Sequence, residues 1–527
     1  MTAAAATLRD GLAIRFRRLG TAEMTKWRVA GGLLGLVVLS FFLRSTAIHA
    51  RYWIDEGLSV GIAKHDLLDI PGLLRQDGSP PLYYMLLGVW IRLIGDGEAR
   101  THALSLGFAL LTIPVGWFSA RALFNERAAW FVAVFAAFVP FLSYYAQETR
   151  MYTLVVLLSM VYSAMYALVF VQRRRGWLIG FVLSGAALIY THNWGLFVVA
   201  ASGLALLPML RRRALPWRDV LLGYGGIVLL YLPWIPTLLS QAQHTGAPWS
   251  VSPNLFDLPG SVADLLGGAG PAVAILLAGG TGLLALWALR REPVGPRTQQ
   301  VATVQLVGAT LLLTLLLAFV ASQISPGWTL RYFAALIGPF ILFAGAVLAR
   351  AGNLGLMTVA LLAGLWLHPP TGRVNNKSNM HHVSELIRPH VAKGDIVVST
   401  QPEQVPVAHF YFPAGLRWAS GMGWFKDTGL LDWRDALDRY RHARVRRTAD
   451  MFIRALKPGQ QLVLMQPIIR TATWNAPWTK LVRKRAHQWQ VALDADPRLT
   501  REAAVPHLGT SRLPHGVRIV LYSREAR

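Results

Sequence analysis

Long apolar runs recur along this chain between residues 29 and 367, and they constrain its fold more than any other feature. Most of the runs are long enough for an α-helix to cross the hydrocarbon core of a bilayer. Apolar residues make up 54% of the sequence, charged residues only 15%, and the mean hydropathy is +0.40. A soluble globular protein has a more polar composition. The sequence therefore predicts a polytopic α-helical membrane protein.

We predict about eleven membrane-spanning helices from these runs. Their predicted bounds are 29–48, 101–123, 128–145, 151–171, 177–190, 194–210, 220–238, 265–289, 301–321, 331–348 and 354–367.

The positions of the basic residues predict the orientation. The net charge of +25 is typical of proteins that bind nucleic acid or an anionic surface, but here Lys and Arg cluster between apolar runs, as in cytoplasmic loops. The basic segment 1–28 is predicted to be a retained cytoplasmic segment, without a signal-peptide cleavage site. The basic segments 121–127, 173–175, 211–218 and 290–297 are all cytoplasmic if residues 82–94 stay outside. An odd number of crossings then places the C-terminus outside.

Three parts follow from this topology. The membrane domain covers residues 29–368, and its external loop 49–100 contains an interfacial helix within 63–78 and a juxtamembrane helix at 82–94. Residues 371–527 are polar and are predicted to form an extracytoplasmic α/β domain, with strands in GDIVVST, QQLVLMQ and GVRIVLYS. An Arg-rich helix is predicted at 433–456, whose basic face is either simply solvated or contacts an anionic surface.

Asp55 and Glu56 follow the first apolar run in the stretch RYWIDEGLS. Adjacent carboxylates repel each other and raise the pKa of at least one, which is one way to make a general base. The alternative is a polar turn that merely ends a membrane helix. Other polar residues collect on the same predicted side of the membrane: Tyr83, Tyr84, Tyr144, Tyr145, Gln147, Glu148, Arg150, Tyr152, His192, Asn193, Trp194, Arg331 and Tyr332. Taken singly, the tyrosines also fit an aromatic belt, and His192 fits a helix-end histidine.

Arg331 opens an apolar run on the side of the membrane where arginine is disfavoured, which suits an anion at the membrane surface. An arginine fork matches a phosphate group, and Arg150 offers a second one. A carboxylate base, arginines and groups that bind hydroxyls together suit a lipid-linked phosphosugar. The chain contains no cysteine, so disulfides, thiolate metal sites and a cysteine nucleophile are excluded.

Four motifs in this order resemble the GT-C superfamily of membrane glycosyltransferases, in its protein O-mannosyltransferase and lipid A aminoarabinose transferase branch. They are WIDEGLS, SPPLYYMLLGVWIRLIGDGEART, SYYAQETRMY and RYFAALIGP. The resemblance implies a polyprenyl-phosphate sugar donor, transfer with inversion on the extracytoplasmic face, Asp55 and Glu56 as the loop acids, and Arg331 with Tyr332 as the late-span pair. The mannosyltransferases carry a histidine before their Pro-Pro-Leu and a lysine after it, where this chain has Ser79 and Tyr83. This departure counts against a protein hydroxyl as the acceptor.

The predicted function is transfer of a sugar to an extracytoplasmic glycan, glycolipid or protein. Asp55 is the predicted base, and Glu56 orients the acceptor or tunes Asp55; Arg331, Tyr332 and Arg150 hold the donor phosphate. The predicted substrate-binding residues are Tyr83, Tyr84, Tyr145, Gln147, Glu148, Tyr152, His192, Asn193 and Trp194. No metal or other cofactor is predicted, although Asp55 with Glu148 or His192 could hold a divalent ion.

The predicted partners are the lipid donor, the acceptor and membrane lipids, without nucleic acid. Abundant Arg, Ala and Leu without cysteine suit a bacterium with a GC-rich genome, so we predict the bacterial plasma membrane. Two other functions fit the sequence: a transporter or flippase of lipid-linked sugars, and a non-catalytic anchor that binds a polysaccharide.

Overall fold

A computed structural model describes residues 26–289, 295–368, 371–468, 475–505 and 515–524. Most of the predicted cytoplasmic segment 1–28 lies outside these residues. The helices are α1 Lys26–Arg44, α2 Ile54–Ala63, α3 Ile70–Asp77, α4 Leu82–Ile94, α5 Glu98–Leu123, α6 Glu126–Phe138, α7 Pro140–Tyr145, α8 Tyr152–Phe170, α9 Leu178–Thr191, α10 Trp194–Arg211, α11 Trp217–Tyr231, α12 Ile235–His244, α13 Asp257–Leu265, α14 Ala269–Leu289, α15 Pro296–Ile324, α16 Ala334–Arg350, α17 Gly352–Leu365, α18 Thr371–Asn375, α19 Met380–Ile387, α20 Val405–Tyr411, α21 Ala436–His442, α22 Val445–Ala455 and α23 Pro477–Asp494. The strands are β1 Ile396–Ser399, β2 Arg417–Ser420, β3 Gly423–Trp424, β4 Gln461–Ile468, β5 Leu499–Val505 and β6 Gly516–Arg524.

Among the described residues, eight helical stretches are long and apolar enough to cross a membrane. They are Lys26–Arg44, Glu98–Leu123, Tyr152–Phe170, Trp194–Arg211, Trp217–His244, Ala269–Leu289, Arg297–Ile324 and Leu330–Arg350, and each coincides with a predicted span. Three shorter apolar stretches, Leu82–Ile94, Arg175–Thr191 and Gly352–Leu365, accompany them. The chain is therefore a mostly helical, multi-pass membrane protein; the number of crossings and their orientation stay predictions.

The predicted span 128–145 differs from the structure, because two helices, α6 and α7, replace one. They meet at Val139, whose backbone is extended (φ −53°, ψ 128°), and Pro140 begins α7. The ring of a proline disfavours helical backbone at the preceding residue and itself suits the first helical position. α7 consequently ends at Tyr145, next to the turn that carries Glu148 and Arg150.

Two helices form the centre of the membrane part. In Tyr152–Phe170 and Leu330–Arg350, 78% and 83% of the most apolar stretch is buried inside the protein, against 11% in Lys26–Arg44. These two helices pack directly on each other. Because helices packed on all sides hold their ends firmly, the residues at their beginnings, around positions 150 and 331, are well positioned for a site.

The C-terminal region contains a six-stranded sheet in the order β3-β2-β1-β4-β6-β5. β1 lies parallel to β2 and β4, while β6 runs antiparallel to β4 and β5. The three predicted strands are present as β1, β4 and β6. The carboxyl ends of β1 and β4 and the amino end of β6 consequently share one edge of the sheet, where Ile468 lies opposite Gly516.

The predicted helix at 433–456 is two helices, α21 and α22. Asp435 has a left-handed backbone (φ 49°), and Ala443 is extended between the helices (ψ 128°). Trp433, which the prediction placed inside the helix, instead buries its ring 4.5 Å from that of Trp249 and 5.2 Å from that of Trp478. Burial of this tryptophan in a cluster outweighs the amphipathic pattern of the segment.

Helices cover both faces of the sheet. Alternate strand residues point to opposite faces, so Val397 and Val463 pack with α19 and α20, whereas Val398 and Leu464 pack with α22 and α23. The first of these cores also contains Tyr52, from the loop 49–100. Its backbone N–H donates a 2.8 Å hydrogen bond to the Tyr411 hydroxyl. The C-terminal region is thereby docked on the loop that carries Asp55 and Glu56.

Candidate active site

Asp55 lies in the first turn of α2, where unpaired backbone N–H groups favour a carboxylate. Its Oδ2 lies 3.3 Å from Nη1 of Arg331 and 4.0 Å from Nη2 of Arg150. Arg150 also donates to the carbonyl oxygen of Asp55 at 3.2 Å and to Oγ of Ser59 at 2.8 Å. The three charged side chains are 11% to 21% exposed. They are therefore held by the protein and still reachable by a ligand.

Helix beginnings surround this cluster. Arg150 precedes α8, Arg331 lies in a 3-10 turn before α16, and His192 and Asn193 connect α9 to α10. The N-terminus of a helix carries a partial positive charge and free N–H donors. The arrangement adds to the charge of the two arginines and favours an anion.

A cavity of about 680 Å³ opens beside Asp55. Seven of the predicted site residues line it: Asp55, Arg150, His192, Asn193, Trp194, Arg331 and Tyr332. Apolar side chains, including Leu196, Phe197 and Leu238 of the membrane helices, form another part of its wall. A cavity of this size, with both charged and apolar walls, suits an amphipathic ligand.

Seven other predicted residues are not among the described residues that line the cavity. They are Glu56, Tyr83, Tyr84, Tyr145, Gln147, Glu148 and Tyr152. Several support the site from outside its wall. Arg150 donates to the hydroxyls of Tyr84 at 3.5 Å and Tyr152 at 3.4 Å, and the ring of Tyr152 lies 4.9 Å from that of Tyr145. Gln147 is fully buried and donates to the carbonyl oxygen of Ser143 at 3.0 Å.

Glu56 is fully buried at the centre of a charged network. Its Oε1 lies 2.7 Å from Nε2 of His102 and accepts the Thr149 N–H at 2.8 Å, and its Oε2 accepts from Nζ of Lys377 at 3.1 Å. Burial raises the pKa of Glu56, but Lys377, His102 and the Thr149 N–H outweigh burial and lower it to about 2. Glu56 is therefore ionised near neutral pH and has partners on both oxygens.

Lys377 joins Glu56 to Glu148, and sequence reasoning missed it. Its Nζ donates to Oε1 of Glu148 at 3.0 Å, and it lies 5.9 Å from the ring centre of Trp53. Within the described part of the chain, Oε2 of Glu148 has no hydrogen-bond partner, and burial raises the pKa of Glu148. No local pattern around Lys377 marks it, because its partners come from loops that are distant in the sequence.

His192 lines the cavity as a neutral ring. Burial, together with the charges of Arg150 and Arg331, lowers its pKa from 6.5 to about 3. Its Nδ1 accepts the N–H of Trp194 at 3.1 Å, which requires an unprotonated Nδ1. His192 is thus available as a hydrogen-bonding group, without a charge.

The C-terminal region supplies one side of the cavity, which sequence reasoning also missed. Gln401 and Glu403 follow β1, and Pro467 lies near the end of β4. His515 precedes β6, which begins at Gly516. All of them lie at the shared edge of the sheet. The signal that could have identified Gln401 and Glu403 is their place directly after a parallel strand, since ligands bind at the carboxyl ends of such strands. Asp77, Ser79 and Gln241 of the membrane part line the cavity as well.

Across the described ranges, no three His, Asp or Glu side chains are grouped so that they could hold a metal ion. Glu148, one of the possible partners of Asp55 in such a site, points its Oε1 to Lys377.

Comparisons with known proteins agree with the resemblance seen in the sequence. Residues 78–236 match the family model of dolichyl-phosphate-mannose-protein mannosyltransferases. No curated protein sequence gives a significant match.

Solved structures show the same fold. Crystal structures of ArnT from Cupriavidus metallidurans superpose with TM-scores of 0.60 in the apo state and 0.61 with bound undecaprenyl phosphate, each at 15% identity. They cover 94% and 95% of this chain and 98% of the other. The oligosaccharyltransferase AglB from Archaeoglobus fulgidus, in complex with an inhibitory peptide and a dolichol-phosphate, has a TM-score of 0.54 at 9% identity, over 92% of this chain and 74% of AglB.

Proposed function

We propose that this chain, a membrane glycosyltransferase of the GT-C superfamily, transfers a sugar from a polyprenyl-phosphate donor to an extracytoplasmic acceptor. Transfer inverts the anomeric carbon, and Asp55 is the general base. One observation carries the proposal: a carboxylate and two arginines meet in a cavity that also has an apolar wall. The undecaprenyl phosphate bound to ArnT and the dolichol-phosphate bound to AglB support a lipid phosphate as the donor group.

The reaction is a single displacement. Asp55 accepts the proton of the acceptor hydroxyl while the hydroxyl oxygen bonds to the anomeric carbon. The bond between that carbon and the phosphate oxygen breaks, and the electron pair leaves with the lipid phosphate. Arg331 and Arg150 stabilise the charge of this leaving group, and the helix beginnings around it add to their effect. The base and the positive charges both come from the chain, so the proposal includes no metal or other cofactor.

Donor binding rearranges the ion pairs. Both arginines face Asp55. A lipid phosphate competes for these arginines, because a phosphate accepts both branches of a guanidinium fork. Asp55 then loses part of its pairing at the moment when the acceptor arrives, which frees its carboxylate to accept a proton.

Glu56 acts as a positioning residue in this proposal. It does not line the cavity, and each of its oxygens is bonded to a buried donor. Because it is adjacent to Asp55 in the first turn of α2, its anchoring holds Asp55 in place. Tyr84 and Tyr152 similarly hold Arg150.

The proposed location is the bacterial plasma membrane, with the cavity on the extracytoplasmic face. The apolar wall contacts the lipid of the donor, and the sheet edge of the C-terminal region faces the acceptor, which is a glycan, glycolipid or protein.

The test uses the full-length protein in lipid nanodiscs with a panel of polyprenyl-phosphate sugars and extracts of envelope glycans and glycolipids as acceptors. Release of polyprenyl phosphate is measured for wild type, Asp55→Asn and the control Asp66→Asn, which changes an exposed carboxylate of the same loop. We expect Asp55→Asn to lower the rate by about 100-fold or more, with lipid phosphate binding intact. Asp66→Asn should behave as wild type.

Equal rates for wild type and Asp55→Asn would overturn the assignment of Asp55 as the base. Binding of the lipid sugars without release from any of them, in the presence of the acceptor extracts, would contradict transfer and favour transport.

A further inference from the structure

We infer that the C-terminal region forms a saccharide subsite on its side of the cavity, and that Glu403 in this subsite selects the acceptor. The inference rests on the proposed function and narrows its acceptor to one that presents a sugar without negative charge. The subsite consists of Glu403, Gln401, Trp433 and Trp478, which all line the cavity.

Among the described residues, one carboxylate oxygen of Glu403 accepts two hydrogen bonds and the other accepts none. Its Oε1 accepts from Nε1 of Trp478 at 2.8 Å and from Nε2 of Gln401 at 2.8 Å. Its Oε2 is buried and has no hydrogen-bond partner among the described residues, and the residue as a whole is only 5% exposed. A buried carboxylate oxygen without a donor is costly. A ligand hydroxyl or ammonium that donates to Oε2 removes this cost.

The electrostatic surroundings of Glu403 disfavour an anionic ligand. Burial raises the pKa of Glu403, and the charge of Asp55 adds to this effect. Asp77 also lines the cavity. A phosphate or carboxylate ligand on this side would lie beside the acidic side chains of Glu403 and Asp77, whereas the arginines that suit an anion lie next to Asp55.

Two tryptophans provide the apolar part of the subsite. Trp433 and Trp478 lie with ring centres 5.2 Å apart and planes inclined at 60°, and Glu403 fixes the orientation of Trp478 through the indole N–H. A sugar ring has an apolar face of C–H groups and an edge of hydroxyl groups. Trp433 and Trp478 are 5% and 2% exposed, so they offer a ligand a small apolar contact beside a fixed carboxylate and an amide.

The position of the subsite assigns it to the acceptor. The donor phosphate is placed by Arg331 and Arg150, and its lipid by the apolar membrane wall. Glu403 follows β1, on the soluble side of the cavity. An acceptor sugar held there lies in the same cavity as Asp55, on the wall that the C-terminal region supplies. A peptide does not offer a set of adjacent hydroxyls on one ring.

The test measures binding of small ligands by saturation-transfer NMR, with full-length protein in nanodiscs that contain no glycoside detergent. The probes are methyl glucoside, methyl glucosaminide, methyl glucuronide and a short serine-threonine peptide. Glu403→Gln keeps an oxygen for Trp478 and Gln401 but removes the charge and the free acceptor. The control Glu385→Gln changes a carboxylate that is 58% exposed in the same region.

We expect the neutral or the amino sugar to bind wild type and Glu385→Gln, and binding to weaken about tenfold or more in Glu403→Gln. The glucuronide and the peptide should bind at least tenfold more weakly than that sugar. Any of three results would overturn the inference. They are unchanged sugar binding in Glu403→Gln, no binding of any sugar probe to wild type, and tighter binding of the peptide than of the sugars. Displacement of the sugar by undecaprenyl-phosphate glucose, but not by undecaprenyl phosphate, would assign the subsite to the donor and overturn the acceptor assignment.

Failure of this inference is distinguishable from failure of the proposed function, because binding is measured without turnover. Sugar binding that persists in Asp55→Asn supports the subsite regardless of the role of Asp55. If wild type does not release polyprenyl phosphate from any donor, the proposed transfer is contradicted instead.

Discussion

Lys377 is the single residue on which the buried charge network most depends. Replacement by methionine removes the lysine that pairs with both Glu148 and Glu56 and leaves two buried carboxylates without it. Breaking a buried ion pair in this way costs about 3–5 kcal/mol. We expect Lys377→Met to lower the free energy of unfolding by that order and to lower the Tm of the detergent-solubilised protein, measured by tryptophan fluorescence.

Two variants separate loss of pairing from a general effect of removing a lysine. Lys64 pairs with Asp96 at 2.8 Å, but the two side chains are 51% and 41% exposed, so Lys64→Met should cost about 1 kcal/mol or less. Adding Glu148→Gln to Lys377→Met should restore part of the lost Tm, because it removes the unpaired carboxylate. Equal Tm values for Lys377→Met and Lys64→Met would contradict the buried network.

His192 gives a prediction about pH. Because its pKa is lowered to about 3, the folded protein keeps it neutral between pH 5 and 8. The pH profile of polyprenyl phosphate release should therefore have the same shape in wild type and His192→Gln over this range, whatever the absolute rates. Loss of an inflection between pH 5 and 8 in the variant would show that His192 titrates there.

The same lowered pKa has a consequence for stability. Below its ordinary pKa of 6.5 the unfolded histidine takes up a proton that the folded protein does not bind. The unfolded state of wild type is favoured by this proton, so wild type should lose Tm relative to His192→Gln as the pH falls from 7 to 4. A constant difference in Tm over this range would contradict the neutral, buried ring.

At the scale of elements, the contact between α2 and α20 connects the first loop to the C-terminal region. Gly57 allows it, because an added Cβ would lie 2.6 Å from Cα of Val407. Gly57→Ala should therefore force the helices apart, cost about 1–3 kcal/mol, and lower both Tm and the release rate. The control is Gly72→Ala in α3, where nothing lies within 4 Å of the added atom and alanine is the better helix former. A Tm for Gly57→Ala equal to that of Gly72→Ala would show that the contact is not tight.

The elements that the sequence predicts well are those with a strong one-dimensional signal. Eight of the predicted spans and the strands β1, β4 and β6 are runs of mainly apolar residues. The hydrophobicity of the sequence alone is enough to identify such runs. The break at Val139 was also readable, since Pro140 marks it. The division of 433–456 was not, because it depends on where the ring of Trp433 is buried, in contact with Trp249 from far along the chain.

At the scale of the whole molecule, the site combines residues that are distant in the sequence, and no local sequence pattern predicts that they come together. Asp55, Arg150 and Arg331 were predictable, because charged residues at the ends of apolar runs stand out one by one. Lys377 was not, since its partners come from loops that are distant in the sequence. Glu403 had one signal, its place directly after a strand, but its role depends on which sheet edge is docked on the loop 49–100. The adjacent residues Asp55 and Glu56 also have different surroundings: Asp55 lines the cavity, and Glu56 is buried beside Lys377.

The orientation of the whole chain in the membrane gives the last prediction, and it depends on whether Leu82–Ile94 crosses. If this helix stays outside, the turn at 173–175 is cytoplasmic and the C-terminal region is outside; if it crosses, both change sides. The basic turn 173–175 lies on the same side as the segment 211–219, since Arg175 donates to Asp219 at 2.9 Å. This concentration of arginines favours the cytoplasm.

The natural absence of cysteine allows a direct measurement with single-cysteine variants. Asp66→Cys, Arg174→Cys and Lys457→Cys each place a thiol at an exposed position. In spheroplasts, which remove the outer envelope barrier, a membrane-impermeant maleimide should label Asp66→Cys and Lys457→Cys, whereas Arg174→Cys should react only after the plasma membrane is permeabilised. Asp66→Cys is outside under either topology and serves as the control for reagent access. Labelling of Arg174→Cys with protection of Lys457→Cys would reverse the assignment, and it would place the C-terminal region and the cavity edge it forms in the cytoplasm.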